Sequence, residues 1–253
     1  MRRASASSFR STSRRRRSLR PPRSRRQERA LGSRIDVLLD LDGTLIDPKP
    51  GILGSIRYAL ERMGHPEPPP FEELHWAIGP PLRSTFTRLL GEAQAEAAVT
   101  HYRDNYRNGA MYDCEVYAGI PELLAALAGQ GHRLFIVTAK PQVFAEPIAE
   151  RVGLAAHMSG IYGPDLDGTL DDKRDLLAHV LRRESIPPEQ AVMIGDRKFD
   201  ILAARANSVS GIGITWGYGT PEELREAGSH ALCDTTEQLG QAIADLDAAP
   251  PKS

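Results

Sequence analysis

At 253 residues, with 41% hydrophobic and 26% charged side chains, the chain has the size and make-up of one large globular domain or of a core carrying an insertion. No apolar run approaches the ~18–20 residues of a membrane-spanning helix, and two distant cysteines, Cys114 and Cys233, offer neither a disulfide framework nor zinc spacing. The net charge of −1 hides an asymmetry: residues 1–34 hold thirteen arginines against Glu28 alone, leaving 19 basic and 32 acidic side chains for the rest.

The Arg/Ser-rich stretch 1–34 has too few large apolar residues to build a core and is expected to be disordered. It lacks the apolar centre of a secretory signal. Its bias suits a plain extension, an organellar transit peptide, or a basic arm for nucleic acid. The expected location is the cytoplasm, or an organelle if the tail is a transit peptide. Residues 248–253 read as a second short tail.

Ile35 to Leu45 is the first strong signal. A short, almost wholly apolar run predicts a strand buried on both faces of a parallel sheet. It ends in Asp40 and Asp42, which point the same way if the extended geometry persists. Gly43 then allows a tight turn and close approach to a ligand. Acids at the carboxyl end of a parallel strand lie where open α/β sheets place their chemistry. The letters repeat at Asp165-Leu166-Asp167-Gly168-Thr169-Leu170. There Gly163-Pro164 breaks a short strand just before the acids, so the second copy is predicted to be a loop.

Past Asp47 the pattern turns helical. Ile52, Ile56, Ala59, Leu60 and Met63 keep helical spacing until Gly64 and the prolines at 66 and 68–70. More helix is predicted over 71–78, 82–90 and 93–106, with no strand before Ile120 and a return hinge at Gly119-Ile120-Pro121. A helical cap over 51–116, inserted between core segments 35–50 and 117–247, is the domain plan. Arg83, His101, Arg103 and Arg107 are candidate substrate contacts on it, with a solvated polar face as the ordinary alternative.

Beyond the insertion, 123–127 is an amphipathic helix and 133–138 a second buried strand, ending in Thr138. A hydroxyl and free amides at the turn through Ala139 into the next helix can hold phosphate. Lys173 opens a helix where the dipole disfavours a cation, so a compensating anion is expected there. A strand from Ala191 ends in Gly195-Asp196, with Asp200 one helical turn on. Hard oxygen ligands in that position suit Mg²⁺. A strand at 210–215, a helix at 222–227, a short strand at Ala231-Leu232 and a last helix to about Leu246 complete an α/β pattern with a doubly wound parallel sheet.

Asp40-Leu41-Asp42-Gly43-Thr44, Thr138, Lys173 and Gly195-Asp196 with Asp200, in that order, resemble the four motifs of the haloacid dehalogenase superfamily. Gly79-Pro80-Pro81-Leu82 resembles a cap loop of its phosphoglycolate-phosphatase-like and 5'-nucleotidase-like branches. The resemblance implies a Rossmann-like core with a small helical cap, and Mg²⁺-dependent hydrolysis of a small phosphorylated metabolite. By it, Asp40 is the nucleophile and Asp42 the acid and base. Gly43, Thr138, Ala139 and Lys173 bind phosphate, and Asp40, Asp42 (through its carbonyl), Asp196 and Asp200 hold the metal. Many relatives carry Asn or Ser in place of Ala139, which leaves only a backbone contact. Asp42 argues against a dehalogenase, and the absence of lysine from Leu53 to Gly119 against a phosphonate hydrolase. A phosphomutase, or a nucleic-acid-binding protein using the tail, are the alternatives.

Overall fold

The computed structural model describes residues 34–248; the predicted tails at 1–34 and 248–253 lie almost wholly outside that range. Six parallel strands form one sheet in the order β5-β4-β1-β6-β7-β8, where β1 is Asp36–Leu39, β4 Leu134–Val137, β5 Gly160–Tyr162, β6 Ala191–Gly195, β7 Ser210–Ile214 and β8 Ala231–Cys233. β1 lies between β4 and β6, with Leu38 opposite both Phe135 and Met193. Every residue of β1 is buried, as its unbroken apolar run dictates. The alternation of side chains splits that run between two cores. Val37 and Leu39 join one and Leu38 the other.

On the Val37 side pack α4 (Ile120–Gln130), α5 (Gln142–Arg151) and α9 (Thr236–Ala248), through Leu124, Phe144 and Leu239 among others. On the Leu38 side pack α6 (Lys173–Arg183) and α7 (Lys198–Ala206), through Leu176, Val180 and Ala203. α8 (Pro221–Ala227) lies against α7, with Leu224 on Ile201. Helices on both faces of a parallel sheet make the predicted doubly wound α/β fold. Leu39→Ala empties a fully enclosed position beneath the first acid. It should cost about 2–5 kcal/mol of stability by denaturant unfolding.

Between β2 (Ile46–Asp47) and β3 (Glu115–Val116) the chain runs through α1 (Lys49–Arg62), α2 (Leu82–Leu90) and α3 (Glu92–Arg107). Ile56, Phe86, Val99 and Tyr102 fill the space between these helices. The helix expected over 71–78 is present as a 3-10 helix, Phe71–Ala77. The expectation for this region needs one correction: a strand interrupts the helices before Ile120, where β3 pairs antiparallel with β2 and ties the entry of the insertion to its exit. Strands of two residues carry no readable periodicity. Among the described residues no helix is long and apolar enough to cross a membrane.

Candidate active site

β1 stops at Leu39, and Asp40 continues the ladder only through its N–H to the Ile194 carbonyl at 2.9 Å. The turn with Gly43 at φ +81°, not strand alternation, therefore aims Asp40 and Asp42, and they face different cations. Asp196 follows β6 directly and Asp200 sits in the first turn of α7. One carboxylate oxygen from each of Asp40, Asp196 and Asp200 lies within 4.8 Å of the others, and all three residues are buried.

Lys173, the first residue of α6, reaches this cluster because Asp172 caps the helix by accepting from the Arg174 N–H at 2.8 Å. Its Nζ is 2.6 Å from Asp40 Oδ1 and also pairs with Asp200. The anion expected beside Lys173 is thus supplied by the protein's own carboxylates. Burial works against the ammonium, but Asp200 and Asp40 outweigh it and hold its pKa above the ordinary lysine range.

Three carboxylates face that one ammonium. Burial first, then Asp200 and Asp40, pushes Asp196 up to about 8. Burial likewise lifts Asp200 to about 6, against the pull of Lys173. Asp196 Oδ2 accepts the Tyr218 N–H at 2.7 Å, while its Oδ1 is buried with no partner. An unsatisfied buried acceptor costs about 1–3 kcal/mol. Hard oxygen donors around an excess of negative charge fit a small divalent cation.

Asp42 belongs to a second group. Lys140 Nζ lies 2.9 Å from its Oδ2 and donates to the Tyr106 hydroxyl of α3. Burial raises the Asp42 carboxyl, with Lys140 opposing. Tyr106 stacks on Tyr102 at 5.3 Å between centroids and stands edge-on to Phe144 at 5.4 Å, so the inserted helices touch the core acid through a lysine. Sequence reading missed Lys140 and Tyr106. The one available signal was a lysine two residues past the strand-end hydroxyl.

Gly43 and Gly217 enclose the Asp196 carboxylate so closely that a Cβ at either would collide with it. The Gly43 amide, expected to bind phosphate, instead donates to the Ile46 carbonyl at 2.8 Å to close the turn. The N–H groups of Leu41 and Asp42 have no acceptor among the described residues, and neither does that of exposed Ala139. Thr138 is buried at the end of β4, its Oγ1 accepting from the Lys140 N–H at 3.2 Å.

Among the arginines, Arg83 stands away from this centre in an exposed pair with Glu92 at 2.6 Å. Arg107 lies over the Phe144 ring at 5.8 Å, and Arg103 is half-buried on α3 with no ion pair among the described residues. Arg197, beside Asp196, joins insertion and core by hydrogen bonds. It donates to the Ile78 carbonyl and to Glu223, both at 3.0 Å. A cavity of about 480 Å³ opens next to it, lined by Asp47, Lys49, Trp76, Tyr117, Trp216 and Tyr218 among others.

Asp165 and Asp167 lie exposed in the loop after β5, where Asp167 accepts the Thr169 N–H at 2.9 Å, as the Gly-Pro break predicts. Asp165→Asn and Asp167→Asn should each leave turnover within about twofold, since both side chains are exposed. A steady-state assay of the two variants checks this.

The family model of haloacid dehalogenase-like hydrolases matches residues 37–214. Over 210 residues the chain is 43% identical to a 5'-nucleotidase of Pseudomonas aeruginosa, covering 82% of this chain and 95% of that one. It is 35% identical to the tyrosine-protein kinase PtkA of Mycobacterium tuberculosis, over 82% of this chain and 72% of the other. The crystal structure of a predicted phosphatase from Clostridium acetobutylicum superposes with a TM-score of 0.79 at 35% identity, covering 84% of this chain and 99% of that one. The matched span runs from β1 to β7 and contains the whole carboxylate cluster; the chain belongs to the haloacid dehalogenase-like hydrolase family, as an enzyme of its phosphatase kind.

Proposed function

We propose that the protein is a Mg²⁺-dependent phosphatase that hydrolyses a small phosphomonoester, of the nucleoside monophosphate or phosphoglycolate class, through a phosphoaspartyl intermediate on Asp40. The observation that carries this reading is the cluster of Asp40, Asp196 and Asp200 against Lys173, with Asp196 Oδ1 left unpartnered. Asp40, Asp196, the Asp42 carbonyl and Asp200 would hold the cation. When bound, it neutralises charge between the nucleophile and the phosphoryl oxygens.

Lys173 grips one Asp40 oxygen and so orients the other for attack on phosphorus. The phosphorus–oxygen bond to the leaving group breaks as the aspartyl bond forms, and Asp42 gives the departing oxygen its proton. Burial raises its pKa, the direction a proton donor needs. Asp42 then takes a proton from water, whose oxygen attacks phosphorus, releases inorganic phosphate and regenerates the Asp40 carboxylate. The Thr138 hydroxyl, the Ala139, Leu41 and Asp42 amides and the Lys173 ammonium hold the phosphoryl oxygens. Fixed donors of this kind supply most of the rate in phosphoryl transfer.

A panel of nucleoside monophosphates, phosphoglycolate and sugar phosphates with Mg²⁺ tests the proposal. Release of inorganic phosphate from at least one class is expected. No hydrolysis of any of them, or stable transfer of phosphate from ATP to protein tyrosine in its place, would overturn it.

A further inference from the structure

Four aromatic rings from three separate segments meet in the cavity beside Arg197. Trp76 comes from the insertion, Tyr117 follows β3, and Trp216 and Tyr218 follow β7. The chain has two tryptophans, and both are here. We propose that this cavity binds the base of a nucleoside, so that the substrate is a nucleoside monophosphate; the substrate assignment rests on the phosphatase reading above, while the binding site does not.

Several polar groups of the lining are already engaged. Asp47 accepts from the Tyr218 hydroxyl and from the Lys49 N–H, the latter at 3.0 Å. Arg197 is taken by Glu223 and by the Ile78 carbonyl, and Trp216 Nε1 donates to the Thr44 carbonyl at 3.1 Å. What remains for a ligand is ring surface together with the Lys49 ammonium and the His75 imidazole. Planar, polarisable bases stack on such surfaces. A sugar phosphate, which needs open donors and acceptors for its hydroxyls, meets few. Phosphoglycolate would leave most of about 480 Å³ unfilled.

Position favours the same ligand. The Tyr218 N–H holds Asp196, and the Tyr218 ring lies against Gly43, so the cavity begins one residue from the carboxylate cluster. A base in the cavity can therefore belong to the molecule whose phosphate meets Asp40. Trp76 is braced by the Arg88 guanidinium, 3.8 Å from its ring centroid, which fixes a stacking partner in advance.

Fluorescence of the two tryptophans reads the cavity directly. Adenosine and uridine, added without phosphate to the full chain, should each change the emission saturably, and ribose should not. Trp76→Ala should weaken that binding about tenfold or more, and Trp76→Phe, which keeps a ring, by less than about threefold. In the turnover assay, kcat/KM for nucleoside 5'-monophosphates should exceed that for ribose 5-phosphate by about tenfold or more, and Trp76→Ala should shrink that ratio. Absence of saturable nucleoside binding overturns the inference. So does hydrolysis of ribose 5-phosphate or phosphoglycolate as efficiently as the nucleotides, an outcome that leaves the phosphatase reading standing. Nucleoside binding without hydrolysis of any phosphomonoester would instead keep the base site and remove the phosphatase.

Discussion

Asp40→Asn is expected to lower kcat by about 10⁴-fold or more, with the fold intact. The amide is nearly the same size as the carboxylate but is no nucleophile toward phosphorus, and losing a covalent nucleophile costs orders of magnitude. The fold should survive because Lys173 keeps Asp200 as a partner and because β1 is held by Val37, Leu38 and Leu39. A steady-state assay beside a thermal melt checks both halves. Residual activity within about tenfold of the wild type would remove Asp40 from the role.

The second large effect concerns Asp196. Asp196→Ala should raise the Mg²⁺ concentration needed for half-maximal rate and also lower the maximal rate, because one of the clustered carboxylates is gone. EDTA should remove activity and Mg²⁺ restore it. Ca²⁺ should substitute poorly, since it favours longer bonds and more ligands. The pH dependence has a definite sign. Without a cation, the folded pKa of Asp196 is raised to about 8 from the ordinary 3.8, so the native state holds the proton more tightly than the unfolded chain. That contribution to stability is complete below about pH 4 and is lost as pH rises towards 8, with Asp200 adding to the loss up to about 6. The cation-free protein should therefore melt at lower temperature at pH 8 than at pH 5. Mg²⁺ should raise the melting temperature most at the higher pH, where protons no longer compete. Asp196→Asn should flatten the pH trend. A cation-free melting temperature that climbs between pH 5 and 8, or metal dependence unaltered by Asp196→Ala, would contradict this assignment.

The sheet was legible because its strands are short apolar runs that end where a carboxylate or a hydroxyl begins: Leu39 before Asp40, Val137 before Thr138, Gly195 before Asp196. The same punctuation separated the two Asp-Leu-Asp-Gly-Thr copies, since only one follows an uninterrupted strand. What stayed hidden depends on contacts between distant segments. Lys140 meets Asp42 across 98 positions, and its other partner, Tyr106, lies on an inserted helix. Arg197 drew no reading from its sequence neighbours, yet it spans from α7 to the Ile78 carbonyl. The aromatic cavity draws on residues 76, 117, 216 and 218, each unremarked in its own stretch. The Gly43 amide went wrong for a local reason: the turn consumes it on Ile46 before any ligand can. Arg83 shows the converse, a cation that looked free in sequence but has Glu92 nine positions away on the next helix.

Rapid acid quench during turnover of a ³²P-labelled phosphomonoester, followed by peptide mapping, tests the proposed chemistry most directly. Label should remain on the peptide carrying Asp40, approach about one per chain at early times, be released by hydroxylamine, and vanish in Asp40→Asn. Phosphate released with no protein-bound label at any quench time, or label mapped to another residue, would contradict the account.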